Sequence, residues 1–135
     1  MRKGKIVRAK DVQFIGGYEP PLRHQTGINK DTVDNPCMTI GHVVIPPRGR
    51  TQRHYHMNCD AAGYIIKGRV RMFWGPDHDM EEFIGEAGDF FFNPRGVIHG
   101  LENLSDTEPL EMMGSYCGVS HNKEAGTIFV EPPWE

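Results

Sequence analysis

His54-Tyr55-His56 places two imidazoles two residues apart. On an extended segment that spacing turns both side chains to one face of a sheet, where they converge on one point. Two neutral imidazole nitrogens so placed are half of a coordination site for zinc and its neighbours, at about 2.0–2.2 Å from the ion. Alone the pair is a weak signal, since histidines two apart also occur as a solvent-facing pair or a buried, hydrogen-bonded one. A third histidine changes the weighing. Gly88, Pro94, Gly96, His99 and Asn103 stand at the spacing G-x5-P-x-G-x2-H-x3-N, in which a tight Pro/Gly turn delivers His99 onto another strand. Arg50 and Gln52 share the parity of His54 and His56, so both are candidates to line the same cavity and hold a substrate carboxylate or keto group. Arg50, close to a turn, reads better as rim solvation, and Gln52 stands evenly between the two roles.

Strands are needed to hold these side chains. The 16 glycines and 10 prolines are spread along the 135 residues and cut the chain into short segments, the rhythm of an all-β protein. Strands are predicted at Cys37 to Ile45, Thr51 to His56, Ala61 to Lys67, Arg69 to Trp74, Glu81 to Ile84, Phe90 to Asn93, Val97 to Asn103, Leu110 to Val119 and Thr127 to Val130. Turn signals separate them at intervals of about 8 to 12 residues, as in a sandwich or barrel, and no window carries a helical period with caps. The expectation is a small antiparallel barrel or jelly roll over residues 37–135. Residues 1–36, broken by Gly16-Gly17 and Pro20-Pro21, read as an N-terminal arm of the same domain with one or two short strands. Such an arm lies either on a second copy, making a homodimer, or over its own barrel.

Parity within these strands nominates further residues. His42 alternates with Met38, Ile40 and Val44, an apolar set expected to face inward. It is therefore a candidate fourth ligand, acid/base group or partner of a ligand, against the plainer reading of a buried, hydrogen-bonded histidine. Tyr116 and Cys117 lie on a late strand where one parity faces the cavity; the alternative for both is core packing. Lys67, beside a turn, and His121, beyond the last long strand, read as surface residues. Cys59 reads as a plain loop cysteine. The stretch Asp77 to Glu82 lacks an EF-hand spacing and reads as a solvated hairpin turn. Phe73, Trp74, Phe83, Phe90, Phe91 and Phe92 are expected mostly to fill the core, with one or two forming an apolar wall for substrate.

Composition narrows the function classes. A net charge of −3 with no clustered lysines and arginines argues against nucleic acid. No apolar run approaches membrane-spanning length, and no unbroken apolar stretch follows the basic start, so no export signal is read. Cys37, Cys59 and Cys117 form an odd set without C-x-x-C spacing, which fits a reducing cytoplasm better than a disulfide framework. No phosphate-cradling glycine loop is present, so no nucleotide cofactor is indicated.

The G-x5-P-x-G-x2-H-x3-N spacing resembles the second motif of the cupin superfamily at all five fixed positions. The first cupin motif, G-x5-H-x-H-x3-4-E-x6-G, is met by His54, His56 and Gly68, with Gly49 one residue late because Arg48 occupies the usual glycine position. The resemblance spans roughly residues 37–119 and implies a double-stranded β-helix, the jelly-roll or cupin barrel, with a metal inside it. It transfers ligation to His54, His56 and His99. The family's glutamate position falls on Ala61, and the nearest acid, Asp60, has the wrong parity unless a bulge turns it inward. Three histidines without a carboxylate are the expectation, with Ala61 and Gly63 leaving room beside the ion. The ion would be iron, zinc, nickel or manganese, because imidazole suits all of these. Its substrate is a small organic molecule, with Gln52, His42 and Tyr116 the candidates for orientation or proton transfer. An iron-dependent dioxygenase is the first reading, since three-histidine dioxygenases share the missing carboxylate. Non-redox Lewis-acid chemistry (isomerase, lyase, decarboxylase or polyketide cyclase) and a non-catalytic ligand-binding barrel are the alternatives.

Overall fold

A computed structural model describes residues 3–15 and 22–131, so Gly16-Gly17 and Pro20-Pro21 lie outside the described residues. Ten strands follow in chain order among the described residues: β1 (Arg23–Ile28), β2 (Met38–Ile45), β3 (His54–His56), β4 (Asp60–Lys67), β5 (Arg69–Trp74), β6 (Glu81–Glu86), β7 (Phe90–Asn93), β8 (His99–Asn103), β9 (Leu110–Cys117) and β10 (Thr127–Phe129). They form two five-stranded antiparallel sheets, ordered β1-β2-β9-β4-β7 and β10-β3-β8-β5-β6. The architecture is the all-β jelly roll expected from the breakers. Helical structure among the described residues is limited to 3-10 turns at Ala9–Asp11, Asp77–Asp79 and Asn122–Glu124. None of these is long and apolar enough to cross a membrane.

Alternation puts one face of each central strand between the sheets. Ile45 of β2, Ile65 of β4, Val70 and Met72 of β5, and Leu110 and Met112 of β9 form the core. This core fills one end of the barrel and leaves the other end, around β3 and the His99 end of β8, for polar side chains. At the filled end Asn103 is completely buried. Its Nδ2 donates to the carbonyls of Ile45 (3.2 Å), Pro46 (3.1 Å) and Glu108 (2.9 Å), and its Oδ1 accepts from Ser105 N (3.0 Å). One amide thus clamps the loops after β2 and β8, and the last motif position is structural.

The motif glycines Gly68, Gly88 and Gly96 have φ of 100°, 98° and 79°, the left-handed region that only glycine enters at little cost. The late Gly49 has a related explanation. Arg48 itself takes φ 61°, while a Cβ at Gly49 would sit 2.8 Å from Ile45 Cγ2 and 2.9 Å from the Pro46 carbonyl. The turn therefore requires a left-handed residue followed by one with no side chain, and the glycine went to the position where sterics are harder.

Four findings bear on the sequence expectations, three of them as corrections. Part of the stretch read as an arm is β1, which pairs with β2, and Gln25 Nε2 ties the preceding turn to the barrel through the carbonyls of Ala9 (2.9 Å) and Val12 (2.8 Å). Val7, Ala9 and Val12 share a hollow with Ile40, His42, Ile66 and Met113, so this segment lies over its own barrel. That cover explains the second finding, a correction to the parity of β2. Thr39, Gly41, Val43 and Ile45 face inward, whereas Ile40 and His42 face the N-terminal segment; apolar residues on both faces made the sequence pattern ambiguous. Third, Phe83, Phe90 and Phe92 are exposed rather than core, because β6 and β7 are the edge strands on the same side of the two sheets. Fourth, Gly63 makes room for a side chain and not for substrate: a Cβ there would collide with the Phe91 ring and the Met113 carbonyl.

Candidate metal centre

Strand pairing assembles the three histidines. His54 of β3 is directly opposite His99 of β8, and His56, two residues on, shares their face. One ligand atom from each lies within 4.8 Å of the others, and the ring centroids are 4.4 to 5.2 Å apart. The turn ending at Gly96 joins β7 to β8, and Gly96 N donates to the His56 carbonyl (2.8 Å), locking the loop before β8 onto β3.

Each imidazole is held by its Nδ1. His54 Nδ1 donates to the Gln52 carbonyl (2.7 Å) and His99 Nδ1 to the Val97 carbonyl (3.1 Å), while His56 Nδ1 is paired with Thr127 Oγ1 at 2.8 Å. A carbonyl can only accept, so the proton of His54 and of His99 is on Nδ1 and the lone pair is on Nε2. Burial then keeps the rings neutral. It pulls His56 down to about 4 and His99 to about 3, with the neighbouring His54 adding to both, and it lowers His54 despite the opposing Gln52 carbonyl and Glu131. Neutral imidazoles with fixed tautomers are the form a metal binds. The donor set therefore fits a divalent ion.

The trio opens on a cavity of about 140 Å³, whose walls include Ala61, Met72, Phe91, Leu101, Met112 and Tyr116. None of the described lining residues is Asp, Glu, Lys or Arg. Ala61 faces inward where the family pattern puts a carboxylate, and Asp60 points out, its Oδ1 accepting from Arg95 N (2.8 Å). The volume is close to the roughly 150 Å³ apolar void that takes up benzene, so about six non-hydrogen atoms fit.

The other nominated residues divide. Tyr116 lines the cavity with its ring centroid 4.8 Å from that of His56. Gln52 does not line it: its side chain donates to the Glu131 carbonyl (3.0 Å), and its contribution is the backbone oxygen that orients His54. His42 is outside the barrel, paired with Glu111 Oε1 at 2.7 Å, for the parity reason given above. Arg50 forms a β-bridge with Glu102, Lys67 is exposed near Glu108, and His121 pairs with Asp31 (3.1 Å). Asp77, in the loop read as a solvated turn, pairs with Arg53, and Arg53 is also held by Glu131. Cys59 is buried, which pushes its thiol up, and it is not in the histidine cluster. Thr127 and His24 were missed. β10 was read as a strand with no role for its first residue, and β1 was hidden in a segment without clear alternation.

A barrel of two five-stranded antiparallel sheets is the fold shared with solved oxalate decarboxylases and oxalate oxidases. An oxalate decarboxylase–formate complex from Lactobacillus farciminis superposes with TM-score 0.74 at 18% identity, covering 90% of this chain and 34% of that one. A Bacillus subtilis oxalate decarboxylase, studied for its Mn(II) centres, gives 0.73 at 21% identity over 87% and 30%. An oxalate oxidase bound to glycolate gives 0.67 at 19% identity over 81% and 55%. In sequence, oxalate decarboxylase OxdC of Bacillus subtilis (strain 168) is 31% identical over 87 residues, which is 60% of this chain and 22% of that protein. The chain thus spans about a fifth of that relative's length. The cupin domain model matches residues 41–116, more than half of the chain, and the chain belongs to the cupin family.

Proposed function

We propose that this cupin is a metal-dependent enzyme acting on a small organic acid that binds the ion through its own oxygens. The observation that carries the reading is the convergence of three neutral imidazoles, two of them with their tautomer fixed by a backbone carbonyl, on a cavity whose described walls bear no charged side chain. His54, His56 and His99 would hold the ion. With no protein carboxylate beside it, the ion's charge is left for an anionic ligand to balance. When bound, the ion supplies Lewis-acid polarisation of a carboxylate or keto oxygen. The protein supplies the rest. Met72, Phe91, Leu101 and Met112 exclude water and lower the local dielectric, which strengthens the anchoring of an anion. Tyr116 is placed beside His56 to orient the substrate or pass a proton. The names of the relatives, enzymes of oxalate, support a carboxylate substrate and manganese as the first ion to load.

Iron-dependent dioxygenase chemistry is the second reading, favoured by Ala61 standing at the carboxylate position. The two separate in one experiment. Elemental analysis of protein purified without oxygen is compared with His54→Ala and His99→Ala, followed by oxygen uptake with candidate acids and β-diketones. Manganese, zinc or nickel lost in both variants, with turnover but no oxygen consumption, supports the Lewis-acid reading. Iron and oxygen uptake support the second, and no metal above the variants' background refutes both in favour of a ligand-binding barrel. We also propose a homodimer covering the exposed Phe83, Ile84, Phe90 and Phe92, and a cytoplasmic setting that suits three free thiols. Sedimentation of the full chain tests the first, and localisation of a tagged chain the second.

A further inference from the structure

β1 carries a buried histidine that the proposed chemistry does not use. His24 and Thr26 form the inward row of that strand, and His24 is 8% exposed. The ring lies over Gly41 of β2, where a Cβ would sit 2.8 Å from His24 Nε2 and 3.4 Å from Cδ2. The missing side chain at Gly41 is thus what admits the imidazole into the wall. That wall belongs to the metal cavity: Leu22, His24, Thr39, Gly41 and Val43 line it from one sheet, and His54, His56 and His99 from the other. Among the described lining residues, the titratable side chains are the three clustered histidines, Tyr116 and His24. Nε2 of His24 is paired with Thr26 Oγ1 at 3.5 Å. Burial, with His42 adding, holds its pKa down to about 4. The ring is therefore neutral at pH 7, with one donor and one acceptor nitrogen.

We propose that His24 is a substrate-binding residue, its imidazole hydrogen-bonding the end of a small dicarboxylate or oxo acid remote from the ion. The cavity then selects a substrate that is polar at both ends over a monocarboxylate. This rests on the reading of the three clustered histidines as the ion's anchor. The rest of that wall, Leu22, Val43 and Ile45, is what an acetate methyl would meet equally well with or without His24.

The test compares the zinc-loaded full chain with His24→Leu and His24→Gln. Oxalate and acetate affinities are measured by calorimetry, and zinc content by elemental analysis of the same samples. His24→Leu is expected to keep wild-type zinc and lose oxalate affinity by about tenfold or more, while acetate changes by less than about twofold. His24→Gln should retain part of the oxalate affinity. Oxalate binding by His24→Leu within about twofold of wild type overturns the proposal, as does failure of the loaded wild type to bind oxalate. Should His24→Leu not fold, His24→Gln decides on its own, because an affinity unchanged for oxalate and acetate alike refutes the role of the ring. Zinc missing from the wild type sinks the anchor reading alone. The His24 proposal is then judged on metal-free protein, where oxalate either shifts the His24 Cε1–H resonance or, by leaving it in place, refutes the proposal.

Discussion

Thr127→Val removes the one hydroxyl that orients His56 and keeps the β-branched shape of the strand residue. His54 and His99 are fixed by backbone carbonyls that no substitution removes, so His56 is the histidine of the cluster whose orientation depends on a side chain. The pairing at 2.8 Å is a good hydrogen bond, and a bond of this kind contributes about 0.5–1.5 kcal/mol net. That corresponds to roughly 2- to 13-fold in metal affinity, while partners of metal-bound histidines elsewhere are worth about 10- to 100-fold. Thr127 is exposed, so water can partly replace its hydroxyl, and the expected loss lies below the overlap of the two ranges, at about 5- to 10-fold. Thr127→Ser, which keeps the hydroxyl, should lie within about twofold of wild type. Competition against a chromophoric chelator gives the affinities, with thermal unfolding of the metal-free proteins as the control for fold. A loss below about twofold in Thr127→Val would show that His56 is oriented by something else, and a total loss would show that β10 had come away from β3.

Asn103→Ala should destabilise the protein by about 2–4 kcal/mol, since it strands buried backbone groups of two loops at once. Asn103→Asp should cost at least as much at neutral pH, because a carboxylate would face three carbonyl oxygens. Its folded pKa would be raised, so the deficit should grow as pH rises above about 4 in urea titrations; a pH-independent deficit would refute the clamp. Arg48→Gly relieves a left-handed backbone worth about 1–2 kcal/mol, against about 0.4–1 kcal/mol of added unfolded-state entropy. The exposed pair with Asp106 adds little, so the variant should unfold at the same temperature or a few degrees higher, and a clear fall would show that the strain is not real. The metal-free protein should lose stability on acidification. His24 and His56 at about 4 and His99 at about 3 are neutral in the fold but protonate near 6.5 when unfolded, so the unfolded chain takes up more protons throughout that window. Stability should fall by up to about 1.4 kcal/mol per histidine per pH unit below 6.5, and bound ion should reduce the fall. Equal urea midpoints at pH 7 and pH 5 without metal would show that the rings are not desolvated.

The clustering of the three histidines was legible because strand parity is rigid: a spacing of two cannot place His54 and His56 on opposite faces, and the Pro94–Gly96 turn leaves His99 few places to go. The strands were legible for the same reason, since their breakers are residues with backbone requirements. Errors arose where alternation carried no sign. In β2 both faces are apolar, because the N-terminal segment covers the outer one, and the inward set contains Thr39 and Gly41, which no hydrophobicity pattern marks as interior. His42 was nominated by this ambiguity, and His24 was overlooked because β1 lies in a segment without clear alternation. The exposed Phe83, Phe90 and Phe92 were misread for a related reason: aromatic residues on an edge strand carry the same local signal as aromatic residues in a core.

Ala61 and the uncharged walls bear on the chemistry together. A carboxylate ligand would cancel part of the ion's charge and occupy space in a cavity of only about 140 Å³. A methyl group in its place would leave both the charge and the volume to a substrate. An anion with two oxygens on the ion would balance that charge where no described cation of the wall competes for it. Selectivity would then come from shape and from the few polar groups of the wall, chiefly Tyr116 and His24, since none of the described lining residues is an arginine or lysine that could hold a second carboxylate. Placing an arginine there, for instance by Val43→Arg, should weaken metal binding by like-charge repulsion in a low-dielectric cavity, unless a dicarboxylate is present to bridge the two charges. Metal affinity of that variant measured with and without oxalate is the check, and an affinity untouched by the new charge would mean that the walls are wetter than their side chains imply.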